Sequence, residues 1–398
     1  MRYARALMMA VLAIGAVGCK DKEPEKAAPP TAETKVSAAP TSDTIVIGHV
    51  GSLTGNEATF GQSSDNGIKL AVEEINKKNG IKGKKVVLKT YDSQGKPEEA
   101  AVAATRLVTQ DKVLTFLGEV ASSRSIAMAP IADSNKVPMI SNASTNPKVT
   151  KDGDKTRPYV FRVCYIDPFQ GTVMAKFAVE NKKFKKVAIL RDVGNDYSVG
   201  LANFFTETFK KLGGEITDDV SFKAGDQDFK AQLTKVKGKN PDALYVPGYY
   251  TDVALLARQA RELGLKQPLM GGDGWDSPKL FEIAKGALDG SYFSNHYSPE
   301  DKSPTVQDFI AKYKAAYGGA TPDALAVLGY DAASVALAAM DKAKELTGPA
   351  VRDEIEKTKD FKGVSGNITL DADHNPVKSS VVIGIEKNTQ KYAATINP

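Results

Sequence analysis

Cysteine occurs twice in this 398-residue chain, histidine three times and tryptophan once. Each scarcity excludes something. Cys19 ends the N-terminal apolar segment and leaves Cys164 without a partner once that segment is removed, so there is no disulfide framework. Cys164, within Phe161-Arg162-Val163-Cys164-Tyr165, reads as a buried free thiol. His49, His296 and His374 are far apart and show no metal-ligand spacing, so each reads as structural and no metal or other cofactor is expected. There is no GxGxxG after a strand, no P-loop, no GxSxG and no HExxH, so nothing points to an enzyme. Long runs of one charge are also lacking. The 53 basic and 48 acidic residues are interspersed, with a net charge of +5 and no basic stripe interleaved with aromatics. Nucleic acid is therefore not an expected partner. No membrane-spanning helix is expected beyond residue 19.

What is present begins with an export signal. Arg2 and Arg5 precede the apolar run Leu7 to Val17, too short to span a membrane, and the segment closes with Ala16-Val17-Gly18-Cys19. Small residues before a cysteine resemble a bacterial lipoprotein signal, in which the cysteine is lipidated and becomes the mature N-terminus; Ala16 stands where that motif more often has leucine. Simple secretory cleavage nearby is the alternative. Residues 20–43 are rich in Lys, Glu, Ala, Pro, Ser and Thr, cannot bury a core, and read as a disordered tether.

The stretch Gly118 to Thr145 organises the rest. Val113 to Leu117 is a short apolar run ending at a glycine, which suits a buried parallel strand. Ser122 and Ser123 fall where a helix should begin, with serine as a good N-cap; a helix start offers free N–H groups and partial positive charge, a site for a carboxylate or phosphate. Val137 to Ile140 reads as the next strand, ending in Ser141-Asn142-Ala143-Ser144-Thr145, whose hydroxyls and carbonyls can accept from an ammonium group. One strand end suits an anion and its neighbour a cation, and a free α-amino acid carries both on adjacent atoms.

Around this stretch strand and helix patterns alternate. Ile45 to Ile47, a helix from about 61 to 79, Val86 to Leu88 and a helix opened by Pro97 give a βαβα order, which predicts a parallel sheet covered on both faces. A second series runs from Lys186-Leu190 and a helix over 197–212 through further strands at Ile216 to Phe222, Ala243 to Val246, Pro268 to Gly271 and Ser291 to Asn295. Helices return near 303–317, 323–343 and 348–357, and the chain ends in short strands at Asn367 to Leu370, Val381 to Glu386 and Tyr392 to Thr395. Two doubly wound α/β units in 398 residues predict two lobes with a cleft, and in such sheets ligands sit at the carboxyl ends of strands.

Six passages together resemble the leucine/isoleucine/valine-binding proteins, the type I periplasmic binding proteins of branched-chain amino-acid ABC importers. They are Ile45 to Gly55, Gly67 to Asn76, Ile81 to Asp92, Gly118 to Thr145, Asp192 to Leu201 and Tyr245 to Gly274. The resemblance implies two discontinuous lobes, 44–166 with 297–375 and 167–296 with 376–398, joined by three hinge crossings near residues 166, 296 and 375. It implies that Ser122 binds a ligand carboxylate through hydroxyl and N–H, that Ala143 offers its carbonyl to the ammonium, and that Thr145, beside Ser144, serves both groups. From the other lobe Tyr197 and Tyr249 would close over the ligand, Asp273 would pair with the ammonium, and Phe60 and Trp275 would shape the side-chain pocket. The charged Glu119 and Arg124 depart from the pattern and leave side-chain specificity open. The signal segment and tether imply an exported lipoprotein anchored through Cys19, and the resemblance implies a periplasmic monomer that hands an amino acid to importer permease subunits. The alternatives are a sensing lobe protein for a separate membrane receptor, or capture of another small zwitterion or amide.

Overall fold

The structure, a computed structural model, describes residues 43–398; Cys19, the signal segment and all but the last residue of the expected tether lie outside the described residues. The first sheet contains β1 (Thr44–Gly51), β2 (Lys85–Asp92), β3 (Phe116–Leu117), β4 (Met139–Ser141) and β7 (Val160–Arg162), in the order β2-β1-β3-β4-β7 and parallel throughout. A small hairpin, β5 (Lys151–Asp152) with β6 (Lys155–Thr156), precedes β7. The second sheet contains β8 (Lys186–Asp192), β9 (Glu215–Phe222), β10 (Ala243–Tyr245), β11 (Leu269–Gly271) and β12 (Tyr292–Asn295), parallel in the order β9-β8-β10-β11-β12. A hairpin, β13 (Phe361–Gly363) with β14 (Gly366–Ile368), stands apart, and β15 (Ser380–Glu386) and β16 (Thr389–Ile396) extend the second sheet antiparallel beside β12.

The helices follow the strands as crossover connections: α1 (Ala58–Lys77), α2 (Pro97–Thr109) and α3 (Ser122–Asn135) on the first sheet, then α4 (Asp167–Lys176), α5 (Asp196–Lys211), α6 (Lys230–Lys237), α7 (Tyr250–Glu262) and α8 (Pro278–Ala284) on the second. After β12 the chain returns: α9 (Pro304–Ala316), α10 (Ala324–Lys342) and α11 (Gly348–Glu356) pack on the first lobe. The backbone therefore passes between the sheets three times, after β7, after β12 and before β15. By length and composition α10 could cross a membrane, but it is buried in the core against α1, β3 and β4. A Cβ on Gly67 would overlap the Ala326 carbonyl and one on Gly329 the Ser64 carbonyl, so the two glycines permit the close α1–α10 approach.

Two strands are shorter than expected for local reasons. The N–H of Val113 donates to the Leu107 carbonyl at the end of α2 (3.2 Å); Leu114 and Thr115 still bond β1 through the Val46 carbonyl and the Gly48 N–H (both 2.9 Å), and the regular strand is Phe116–Leu117. Val137 donates likewise to Ala132 at the end of α3 (3.1 Å), and β4 starts at Met139. The carboxyl ends of β1, β3 and β4 stay aligned, and their loops face those that follow β8, β10 and β11.

Candidate functional site

The first lobe contributes three loops that a buried ionic cluster ties together. Arg124, on α3, donates to Glu57 before α1 (2.6 Å) and to Glu119 after β3 (3.0 Å). Ser93, after β2, donates to Glu119 Oε1 (2.7 Å), and the Ala121 N–H donates to Oε2 (3.0 Å), the oxygen that Arg124 also bonds. Burial pushes the Glu57 carboxyl up, against the opposing pull of Arg124. Glu119 and Arg124 thus hold the loops to one another and do not border the cavity described below.

Ser122 is the first residue of α3, and Ala121 is the N-cap, with no side-chain cap. The expected serine cap is absent because the Ser122 hydroxyl accepts instead from the Asn146 N–H (3.2 Å), joining the helix start to the β4 loop. Of the N–H groups at the start of α3, that of Ala121 goes to Glu119 and that of Arg124 to the Ala121 carbonyl (3.1 Å), which leaves those of Ser122 and Ser123 available. The β4 loop is fixed from below by Arg162 on β7, which donates to the carbonyls of Ser144 (2.6 Å) and Asn146 (2.9 Å). The Ser144 hydroxyl is taken up by the Glu119 carbonyl (2.8 Å), so this side chain secures the loop. The Thr145 hydroxyl is buried without a hydrogen-bond partner.

The second lobe supplies two tyrosines and a carboxylate. Asn195 caps α5 by accepting from the Tyr197 N–H (3.0 Å), which orients Tyr197 at the helix start. Tyr197 and Tyr249 stack with ring centroids 5.4 Å apart, and Tyr249 meets Phe60 of the first lobe edge-on at 5.3 Å. Asp273 opens a short 3-10 turn after β11. Its Oδ1 accepts from Gln170 Nε2 on α4 (2.8 Å) and its Oδ2 pairs with His296 Nε2 after β12 (2.9 Å). Burial lowers the His296 pKa, which leaves a neutral ring to donate from Nε2. Glycines flank Asp273 because aromatic rings lie on them: a Cβ on Gly274 would sit 2.8 Å from both the Gly248 carbonyl and the Tyr249 ring.

Between the lobes is a narrow cavity of about 10 Å³, room for a single water. Phe60, Ala143, Tyr197, Tyr249 and Asp273, all anticipated from sequence, border it together. Val120, Gly274 and Leu325 also border it and were not anticipated. Ser122, at the start of α3, and Ser144 and Thr145, in the loop after β4, are buried and do not border it. Trp275, expected to shape the pocket, is a core residue: its indole N–H donates to the Val246 carbonyl (3.0 Å) and its ring packs on Gly271 and Phe293. The lobes meet around the cavity through Ser123 and the Asp196 N–H (3.0 Å), Asn146 and the Asp196 carbonyl (2.8 Å), Thr59 and Ser277 (2.8 Å), and Thr251 and the Asn56 carbonyl (2.6 Å).

A second acidic residue escaped sequence reading. Asp167 is fully buried at the start of α4, its N–H bonded to the Thr145 carbonyl (2.9 Å), and neither carboxyl oxygen has a partner in hydrogen-bonding geometry. Burial drives its pKa well above the ordinary range; the Thr145 hydroxyl opposes this and nearby Asp273 adds to it. Burial also raises the phenols of Tyr197 and Tyr249 far above neutrality, so both remain uncharged.

Residues 44–390 match a family model described as periplasmic binding protein. The Leu/Ile/Val-binding protein BraC3 of Rhizobium johnstonii is 34% identical over 327 residues, 82% of this chain and 87% of that protein. Among solved structures, the leucine binding protein LivK of Thermotoga maritima aligns with a TM-score of 0.85 and 44% identity over 89% of this chain and 99% of that one. The branched-chain amino-acid transporter substrate-binding protein LivJ of Streptococcus pneumoniae, in complex with isoleucine, aligns with a TM-score of 0.84 and 36% identity over 89% of this chain and 100% of that one. This match along nearly all the described residues, with the interlobe cavity at the strand ends, makes the chain a member of the periplasmic binding protein family.

Proposed function

We propose that the protein captures a free aliphatic amino acid between its lobes and delivers it to an ABC importer, without catalysing a reaction. The observation that carries this reading is the composition of the interlobe cavity: one carboxylate, Asp273, on a wall otherwise made of Phe60, Val120, Leu325, tyrosines, Ala143 and a glycine. The ligand ammonium pairs with Asp273 and the Ala143 carbonyl. Its carboxylate lies toward the unpaired N–H groups at the start of α3, where the helix dipole favours an anion. The remaining lining is apolar, which favours Leu, Ile or Val over a charged side chain; the space now open between the lobes, about 10 Å³, holds no more than one water, so the lobes must part for a ligand to enter. Asp167 and the Thr145 hydroxyl supply further acceptors beside the ammonium subsite.

The lobe boundaries we infer are those of the resemblance, with hinge crossings near residues 166, 296 and 375, and they accord with the sheet membership of the strands. Closure over the ligand then brings Tyr197, Tyr249 and Asp273 onto the first lobe. Export to the periplasm follows the family, and the monomeric state, the lipid on Cys19 and the permease partner belong to the same proposal. A thermal-shift and calorimetry screen against free amino acids tests it. Leucine, isoleucine or valine should stabilise the protein by roughly 2.7 kcal/mol at 100 times Kd, and small-angle scattering should show compaction. No response to any aliphatic amino acid would overturn the assignment.

A further inference from the structure

On the side of the molecule where the crossings run lies a larger cavity of about 990 Å³. Its wall combines the segment after β12, from His296 to Ser303, the β13–β14 hairpin of the first lobe, the strand entry Val377 to Ser379, and Tyr392 on β16 of the second lobe. Three observations point to a ligand. The first is charge. Lys378 borders this wall and is only 6% exposed; its ammonium is bonded to the Val163 carbonyl (3.2 Å) and to the Ser365 hydroxyl, which also bonds the buried Asp331. Lys302 and Lys362 border the same space and have no carboxylate partner among the described residues. The acids present are already engaged: Glu300 by Lys391 (3.4 Å) and the Tyr392 N–H (2.9 Å), Asp301 by the Ser303 N–H (2.7 Å). With Lys391 on Glu300 and the buried Asp331 behind Ser365 included, four lysines stand against three carboxylates here, a small positive excess.

The second observation is apolar exposure. Val377 and Tyr392 are 66% and 49% exposed, two of four such large hydrophobic residues among those described, and both stand at this cavity. A monomer leaves single apolar residues exposed without consequence, but two beside a lysine cluster form an amphiphilic mouth. The third is position. The wall is built from both lobes and two of the three crossings, so its shape depends on the angle between the lobes. His296 borders this cavity while its Nε2 holds Asp273 at the other one.

We propose that this cavity is a second ligand site, taking a small organic anion with an apolar body, and that its occupancy is coupled to the interlobe cleft. The anionic group lies among Lys302, Lys362 and Lys378, and the apolar body against Val377 and Tyr392. The coupling half rests on the amino-acid reading given above; the binding half does not. A ligand that fits one interlobe angle better than another biases closure by that difference in affinity, and the effect is reciprocal.

The reporter is anilinonaphthalene sulfonate, an aromatic sulfonate of this chemistry, titrated by fluorescence against the purified protein with and without saturating leucine. Wild type should give one saturable transition, present in both conditions. Val377→Asp and Lys362→Glu, both at exposed positions and so tolerated by the fold, should each weaken it about tenfold, while calorimetry finds leucine binding in the absence of reporter unchanged. At a reporter concentration that just saturates wild type, the leucine Kd should shift about threefold, and the two variants, less occupied at that concentration, should show a smaller shift. Absence of a saturable transition, or equal binding by both variants, overturns the site. A leucine Kd that the reporter leaves unchanged overturns the coupling. If leucine itself does not bind, the comparison of wild type with the variants still decides the site.

Discussion

Replacing Asp273 by asparagine isolates the charge that the proposed mechanism needs. The side chain keeps its size and one carbonyl oxygen, and its surroundings can adapt. Gln170 Nε2 continues to donate to that oxygen, now 2.8 Å from Asp273 Oδ1. His296, neutral because burial lowers its pKa, can change tautomer and accept from the new amide at Nε2. The ligand-free protein should therefore lose less than about 1 kcal/mol, a shift of no more than roughly 2–4 °C in Tm. Ligand binding behaves differently. Asp273 is 5% exposed, and between closed lobes an ammonium bound there has no water to replace a missing charge. Losing one partner of a desolvated charge pair costs about 2–5 kcal/mol, which at about 1.4 kcal/mol per tenfold is on the order of thirtyfold to several-thousandfold in Kd. Titration calorimetry with the aliphatic amino acid identified in the screen measures the loss directly. If Asp273→Asn binds within about threefold of wild type, a difference of roughly 0.7 kcal/mol, the carboxylate serves the turn and the ammonium is held elsewhere.

Four further outcomes are expected. Arg124→Met should destabilise by about 3–5 kcal/mol in urea unfolding, because Glu119 is left buried without its cation, and adding Glu119→Gln should recover part of the loss; an additive double variant would refute this. Burial, reinforced by Asp276, raises Asp323 to about 7. A raised carboxyl keeps its proton in the folded state and releases it in the unfolded one, so stability is full below about pH 4 and falls as pH rises toward 7, by on the order of 2–4 kcal/mol. Asp323→Asn should therefore gain on wild type between pH 5 and pH 8, and parallel curves for the two proteins would contradict it. Cys164 is fully buried and its thiol is pushed up to about 12, so Ellman's reagent should label it only after denaturation; labelling of native protein within minutes would show that the site opens. Cys19→Ala should release the protein from membranes or block its processing, and a variant that is processed and fractionates with membranes like wild type would rule out the lipid anchor.

Much of the fold was legible because its signals are local. Pro97 opens α2, Asn195 caps α5, and the apolar runs of β8 and β10 end at polar loops. The elements that sequence reading missed lack such signals. In α4 Asp167, Gln170, Gly171, Val173, Met174 and Ala175 are all buried, so no polar face marks a helical period, and Gly171 and two β-branched residues weaken the propensity. The helix α8 has seven residues, too few for periodicity to show. The hairpin of β13 and β14 was read as a strand beginning at Asn367, because the turn at Val364 and Ser365 is defined by Asp331 from α10, which accepts from both of their N–H groups (2.7 and 2.9 Å).

The site divides along the same line, and the division bears on how it works. Ala143, Tyr249 and Asp273 lie just after strand ends, and Phe60 and Tyr197 in the first turns of the helices that follow them, where topology alone predicts a ligand. The residues that position them do not. Arg162 reaches up from β7 to the β4 loop, and Gln170, 103 residues from Asp273 in the chain, reaches it from α4. These contacts join segments that only the tertiary structure makes neighbours. Gln170 follows the first passage between the sheets and His296 follows β12 at the second, so the carboxylate facing the cavity is gripped from both sides by chain leaving one sheet for the other. A carboxylate fixed in this way loses little freedom when an ammonium arrives, which favours affinity. It also cannot shift alone: a force on Asp273 is a force on the segments that join the lobes. In the proposed function, the pairing that would recognise an amino acid and the motion that would enclose it are thus carried by the same hydrogen bonds.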